Sequence, residues 1–308
     1  MTSATREQVN AELTQVFVEY DTLPLAKMSS LHIGGMADIV ASPTTVIELK
    51  DCIRIARQYK IPFRVIGRGS NLLFNDAGYR GMIIRTYKMK EMEVFQDAGL
   101  IRADAGVPLI HLAMTACRCG LGDFSFATGI PGSVGGAVYM NAGAFGGDIA
   151  SVLLNVTVFD TATRQTYVLS RDELEMSYRH SNLMAHRNRV VLEARFKLSP
   201  APAEELLARA EEYRARRDER QPLDYPSAGS AFLSHDGVSI GKLLDEAGLK
   251  GYTVGGAQIS PKHAGFIVNL GDATAADIRA LIAFAQKTVE EKYGFVPQTE
   301  MEFVPERE

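Results

Sequence analysis

The 308-residue chain has no apolar run approaching the roughly 20 residues of a membrane span. Its opening stretch, MTSATREQVNAELTQ, lacks the apolar core of a secretory leader. Cysteine is scarce: Cys52, Cys117 and Cys119 are too few for a disulfide framework and suit a cytoplasmic protein with reduced thiols. There is no basic excess. With 33 Lys and Arg against 37 Asp and Glu, the net charge of −4 gives no footprint for nucleic acid. The histidines (His32, His111, His180, His186, His235 and His263) show no metal-ligand spacing. Cys117-x-Cys119 on a helix turns its sulfurs to different faces, so no metal site is expected. Internal repeats and low-complexity tracts are also missing. What remains, 46% hydrophobic and 23% charged residues, is ordinary for a globular chain of two or three lobes.

Residues 1–20 read as a short amphipathic helix. Strand ADIVAS follows, then a helix over Thr44–Tyr59 with Val46, Leu49, Cys52, Ile53 and Ala56 at helical spacing, then strands FRVIG and GMIIRT. Strands MEVFQ and LIRADA precede a helix from Pro108 to Cys119 and a glycine-rich stretch. Beyond it lie strands VLLNVTVFD, RQTYVLS and RVVLEARFKL. Ala201-Pro202 marks a joint before the helix AEELLARAEEYRARRDER, and strand FIVNL and a helix over Thr274–Tyr293 close the chain. Helices and strands mixed in this irregular order predict an α+β fold.

The glycine-rich stretch, TGIPGSVGGAVYMNAGAFGG from Thr128 to Gly147, holds glycine at 129, 132, 135, 136, 143, 146 and 147 and no lysine. A P-loop needs G-x-x-x-x-G-K-[ST], so this stretch fails that pattern. Gly237-Val-Ser-Ile-Gly241-Lys242-Leu243 is one residue short of it and lacks the hydroxyl. A Rossmann loop needs G-x-G-x-x-G after a strand; Gly67-Arg68-Gly69-Ser70-Asn71-Leu72 has leucine at the last place. Two loops of different design remain. Backbone N–H groups in such loops form anion-binding nests, and together the two can take one large anionic ligand between two lobes. Taken singly, each reads equally as a set of tight turns.

IGRGSNLLF with TGIPGSVGGAVYMNAGAFGG resembles the vanillyl-alcohol-oxidase type of FAD-binding domain and, within it, the UDP-N-acetylenolpyruvoylglucosamine reductase family of peptidoglycan precursor synthesis. HIGGMAD (32–38), SYRHSN (177–182), PSAGSAF (226–232) and LLDEAGLKGYTVGGAQISPKHAGFIVN (243–269) extend the likeness from about Lys27 to Glu302. The short third region resembles the form of the family without the tyrosine-bearing insertion.

The resemblance implies a two-lobed FAD-binding domain followed by a smaller α+β substrate-binding domain. It divides the chain into the N-terminal helix (1–20), FAD-binding lobe 1 (21–86), FAD-binding lobe 2 (87–200) and the substrate-binding domain (201–308). It implies non-covalent FAD, since the first loop has no histidine to attach it. FAD would lie against Gly67, Arg68, Gly69, Ser70 and Asn71 in that loop. In the second it would meet Thr128, Gly129, Pro131, Gly132, Ser133, Gly135, Gly136, Asn141, Ala142 and Gly143. NADPH would be the reductant and UDP-N-acetylglucosamine enolpyruvate the substrate; oligomeric state is left open.

By the same resemblance Arg179 faces the substrate carboxylate, its planar guanidinium suiting that partner. Ser230 protonates the carbanion, where position matters more than acidity, and Glu300 works with Arg179 at the enolate. Tyr178, Arg220 and Gln258 are implied substrate contacts. Leu233 departs from the family, which commonly has lysine there, and Lys242 and Lys262 are the cations able to compensate; the family's other lysine, shortly before the loop, is met here by Arg220 and Gln221, with Arg220 able to take its role. Read without the resemblance, Arg179 is a surface arginine, Ser230 a turn serine and Glu300 part of an acidic tail. Two other functions stay open: a flavin oxidase of the same superfamily with another substrate, and a flavin-binding module without activity.

Overall fold

The structure, a computed structural model, describes residues 1–306. In chain order the elements open with α1 (Ser3–Gln15), β1 (Glu19–Asp21), β2 (Ala37–Ser42), α2 (Val46–Gln58), β3 (Phe63–Ile66), β4 (Leu72–Phe74) and β5 (Tyr79–Arg85). The middle of the chain holds β6 (Met92–Phe95), β7 (Leu100–Asp104), α3 (Leu109–Arg118), α4 (Val134–Tyr139), β8 (Gly143–Ala144), β9 (Gly147–Asp148), β10 (Leu153–Asp160), β11 (Gln165–Ser170) and β12 (Arg189–Lys197). The remainder is α5 (Ala203–Arg220), β13 (Ser227–Ser230), α6 (Ile240–Glu246), β14 (Thr253–Val254), β15 (Ala257–Ile259), β16 (Phe266–Asn269), α7 (Ala275–Tyr293) and β17 (Glu302–Val304). Among the described residues no helix is long and apolar enough to cross a membrane.

The chain forms two compact units, each discontinuous. The first takes residues 1–21, 40–68 and 82–217; the second takes 22–39, 69–81 and 218 onward. In the first unit an antiparallel sheet of order β11-β10-β12-β7-β6 carries the core. Val156, Val158, Ala194 and Phe196 project from its strands against Leu112 and Ala116 of α3 and Val134 and Val138 of α4. A second sheet of order β1-β2-β5-β3 pairs β3 and β5 in parallel. Beside it, α2 buries Leu49, Cys52, Ile53 and Ala56 on one face, and the Thr45 hydroxyl caps it by accepting from Glu48 N–H at 3.2 Å.

The second unit packs α6 and α7 against a sheet of order β13-β16-β15-β14. Helix α7 starts in a capping box of Thr274 and Asp277 and ends on Gly294 in the left-handed conformation, φ 82°. In this unit β4 also pairs in parallel with β17, Leu72 opposite Glu302.

The mixed α and β class holds, and α5 has the expected residues. Two local expectations change. The N-terminal helix ends at Gln15 and the chain turns into β1. The glycine-rich stretch is not all loop: Val134–Tyr139 is helical although glycine resists helix formation. Gly135 donates its N–H to Ala105 O at 2.8 Å, and a Cβ there would sit 3.0 Å from Ala105 Cβ, so packing overrides propensity.

Candidate active site

In the first unit, β3 delivers Gly67 onto the second glycine stretch. A Cβ on Gly67 would lie 2.0 Å from Ser133 Oγ, closer than any side chain tolerates. Ser133 is 2% exposed, yet its Oγ has no hydrogen-bond partner among the described residues. A buried hydroxyl left unpaired is costly; a ligand oxygen would satisfy it. Backbone ties fix the loop around it: Leu109 N–H donates to Gly132 O at 3.1 Å and Val134 N–H to Val107 O at 2.9 Å. Gly132 adopts φ 144°. Buried Thr128 turns its hydroxyl back to Ser125 O at 2.8 Å, and so braces the loop from within.

Asn141 is the anchor of the stretch. It is buried in the left-handed conformation, φ 46°. Its Nδ2 donates to Ser177 O at 2.7 Å and to Asp148 Oδ2 at 3.1 Å, and its Oδ1 accepts from Ala150 N–H at 2.9 Å. It thereby joins the β8–β9 hairpin to the turn that carries Tyr178 and Arg179. That turn is closed by reciprocal hydrogen bonds between Ser177 and His180. Arg179 adopts φ 53° and donates from Nη2 to Gly143 O at 2.5 Å. Its guanidinium lies over the ring of exposed Tyr178, 5.1 Å from the centroid.

Two cations of this unit escaped the reading of the sequence. Arg85 ends β5, opposite Ile66 at the end of β3. Burial pushes its pKa below the usual arginine value, the nearby Arg68 charge adds to that, and its Nε is buried without a hydrogen-bond partner among the described residues. Arg217 on α5 lays its side chain against Gly129: a Cβ on that glycine would sit 2.5 Å from Arg217 Cδ. Arg217 was lost in the charge run RARRDER, and Arg85 read as the polar end of an apolar strand.

In the second unit Gly69 adopts φ 65° with its Cα against Met28 O, where a Cβ would come within 2.1 Å. Asn71 Nδ2 donates to Glu300 O at 2.9 Å and Asn71 O accepts from Glu302 N–H at 3.0 Å. Glu300 N–H in turn donates to Ala231 O at 2.9 Å, which sets half-buried Glu300 beside the end of β13 and half-buried Ser230. Gly229, φ 79°, turns the chain immediately before that serine, with open space where a Cβ would be. Ser230 and Glu300 are thus neighbours; Arg179 belongs to the first unit.

The implied substrate contacts scatter. Gln258 is spent on its own hairpin, its Nε2 donating to Thr253 Oγ1 at 3.1 Å and Gly251 O at 3.3 Å. Arg220 is exposed on the last turn of α5. Lys262 Nζ donates to Asp218 O at 2.6 Å, and Lys242 pairs with Glu246 at 3.7 Å. Burial pushes the Cys52 thiol up to about 12 and raises Cys117, so neither offers a thiolate.

His263 gives the second unit a pH response. Burial lowers its pKa, and its Nδ1 accepts from Gly265 N–H at 3.0 Å. A depressed folded-state pKa means that the neutral ring costs nothing above the unfolded value of about 6.5. Stability is lost as pH falls from there through the lowered value. Thermal melts from pH about 7.5 to about 5 should therefore fall more steeply for the natural protein than for His263→Gln; parallel curves would remove His263 as the cause.

Known proteins bear on this geometry. A family profile described as UDP-N-acetylenolpyruvoylglucosamine reductase, C-terminal domain, matches residues 221–304, and one described as FAD binding domain matches residues 37–167. The chain is 43% identical to the UDP-N-acetylenolpyruvoylglucosamine reductase of Agathobacter rectalis over 97% of this chain and 98% of that protein. It is 45% identical to the reductase of the same name from Caldicellulosiruptor bescii over 92% and 90%. The crystal structure of UDP-N-acetylenolpyruvylglucosamine reductase from Thermus caldophilus superposes with a TM-score of 0.77 at 36% identity, covering 94% of this chain and all of that one. With an FAD-binding domain, that reductase C-terminal domain and relatives matched along nearly their whole length, the chain belongs to the UDP-N-acetylenolpyruvoylglucosamine reductase family.

Proposed function

We propose that the protein is a cytoplasmic FAD-dependent oxidoreductase that uses NADPH to reduce UDP-N-acetylglucosamine enolpyruvate to UDP-N-acetylmuramate, a step of peptidoglycan precursor synthesis. The observation that carries this reading is the pairing of Ser230 with Glu300 through the 2.9 Å hydrogen bond from Glu300 N–H to Ala231 O, inside the reductase C-terminal domain. In this reading residues 21–86 and 87–200 are the FAD-binding lobes and 201–308 the part that holds the substrate, while the leading segment 1–20 is helical over Ser3–Gln15. The matched ranges 37–167 and 221–304 fall within these spans.

The residues present fit FAD. The orphaned Ser133 hydroxyl and the bare Gly67 opposite it make a cradle for a diphosphate oxygen. Arg68, Gly69, Ser70 and Asn71 continue the first loop, and Thr128, Gly129, Pro131, Gly132, Gly135, Gly136, Asn141, Ala142 and Gly143 the second. When bound, FAD supplies the relay of two electrons from NADPH to the methylene carbon of the enolpyruvyl ether.

The chain's own groups do the rest. Charge develops on the ether carbon and spreads into the substrate carboxylate. Arg179 meets that carboxylate with a fixed positive fork, and the left-handed turn and Gly143 carbonyl hold it in place. The Ser230 hydroxyl gives its proton to the ether carbon, a far stronger base than the serine alkoxide, and recovers one from solvent. Glu300 works with Arg179 at the enolate, either as the protonated acid or by orienting a neighbour. Tyr178, Arg220 and Gln258 are the proposed contacts of the UDP-sugar, Gln258 on exchanging its hydrogen bonds to Thr253 Oγ1 and Gly251 O for the ligand.

Purified protein carrying FAD should oxidise NADPH in proportion to added UDP-N-acetylglucosamine enolpyruvate. NADPH loss of equal rate without that substrate, with oxygen consumed, would assign an oxidase instead. Bound flavin with no NADPH oxidation would leave a binding module.

A further inference from the structure

Helix α5 turns one stripe toward the glycine-rich stretch of its own unit. Leu206 and Ala210 are buried, Tyr213 and Arg217 are half-buried, and the intervals of four, three and four residues place all of them on one helical face. The rest of the helix is mostly charged and exposed. Along the stripe Leu206 approaches Gly122, Tyr213 meets Phe145 and Arg217 meets Gly129.

The middle contact is the unusual one. Phe145 and Gly146 form the two-residue turn of the β8–β9 hairpin, with φ 52° and 84°. Turns of this kind favour asparagine or glycine at both places. A bulky side chain in that conformation is strained and persists only where its surroundings hold it. Phe145 is 37% exposed, so burial in a core does not hold it. The Tyr213 ring does: the two rings stack with centroids 4.2 Å apart and planes 3° from parallel. Below the turn, the base of the same hairpin presents the Gly143 carbonyl that accepts from Arg179 Nη2.

We infer that Tyr213 is a positioning residue for Arg179: by stacking on Phe145 it fixes the β8–β9 hairpin, and the hairpin's Gly143 carbonyl aims the guanidinium. The inference rests on the reading of Arg179 as the group that meets the substrate carboxylate. It places a determinant of that step on α5, a helix whose sequence otherwise reads as a solvated connector. Hydride delivery from NADPH needs no carboxylate contact, so only the substrate half of the reaction depends on the stack.

The test uses the FAD-loaded full chain. Tyr213→Ala should lower kcat with the enolpyruvyl substrate by about 10- to 10²-fold and raise its KM, since misplacing a group that positions the substrate by about 1 Å can cost up to about 10²-fold. Bleaching of the bound flavin by NADPH, and FAD affinity by fluorescence titration, should change less than about twofold. Tyr213→Phe keeps the stack and should restore kcat. Phe145→Gly removes the stack from the other side while relieving the turn, so it should fold and show the same loss. The double variant should be no worse than either single one. Unchanged kcat and KM in Tyr213→Ala, or an equal loss in the NADPH step or in FAD affinity, overturns the inference. Arg179→Ala separates the two claims. If that variant is crippled while Tyr213→Ala is intact, only the positioning role fails; if Arg179→Ala turns over normally, the reading of Arg179 fails first.

Discussion

Ser230→Ala is expected to slow turnover of the enolpyruvyl substrate by about 10²–10⁴-fold, the range for losing a positioned proton donor. Three features make the loss large. Ser230 closes β13 opposite Phe266, so its backbone is held by a sheet. Gly229 precedes it at φ 79°, a conformation that fixes the turn leading into the serine. Glu300 is locked alongside through Ala231 O, and Asn71 locks Glu300 in turn through its carbonyl. Alanine preserves all of this and removes only the proton. Flavin bleaching by NADPH should therefore proceed at its normal rate, and product formation alone should stall. Ser230→Cys, which keeps a transferable proton, should retain part of the activity. Product formed at the normal rate by Ser230→Ala would move the proton to another donor.

The long elements were legible because their periodicity is strong. In α2, Leu49, Cys52, Ile53 and Ala56 repeat at helical spacing, and all four are buried. The β10, β11 and β12 strands are long runs rich in β-branched and aromatic residues, and so could be read directly. Short and distant pairings were not legible. β4 and β17 have three residues each and pair in parallel across more than two-thirds of the sequence, so nothing local announces them. Helix α4 was hidden because Gly135 and Gly136 argue against a helix, and only the close approach of Gly135 to Ala105 explains the first of them. Among the candidate residues, Ser133, Asn141 and Arg179 were named from the sequence because a distinctive loop surrounds each. Arg85, Tyr213 and Arg217 were missed for one physical reason. Each is distinguished by what it packs against, and a charged or aromatic residue in a helix or at a strand end looks the same in sequence whether its neighbour is solvent, a ring or a bare glycine. The choice of Glu300 over Glu302 rested on spacing. In the structure Glu300 N–H bonds to Ala231 O beside Ser230, whereas Glu302 N–H bonds to Asn71 O at the start of β17.

Gly67→Ala should cost the protein its flavin. The added methyl would stand 2.0 Å from Ser133 Oγ and 3.1 Å from Ser133 Cβ, with the serine buried and unable to withdraw into solvent. Because φ at Gly67 is not in the left-handed region, backbone strain does not confuse the result; the effect is one of space. Overpacking of this kind costs about 1–3 kcal/mol, and it falls where the Ser133 hydroxyl waits for an oxygen. FAD affinity should drop by about 5- to 150-fold if that cost is borne by the bound state. Ser133→Ala leaves the space open and takes away the hydroxyl alone, so it should weaken FAD by one hydrogen bond to a charged group, about 1.5–3 kcal/mol, a loss of similar size. Combining Gly67→Ala with Ser133→Gly removes the collision and should recover the melting temperature lost in Gly67→Ala, while FAD affinity stays low for want of the hydroxyl. Fluorescence titration of the apoprotein with FAD reads each case. Wild-type affinity in both single variants would detach the diphosphate from the Gly67–Ser133 junction. Loss in Gly67→Ala alone would keep the space and dismiss the hydroxyl.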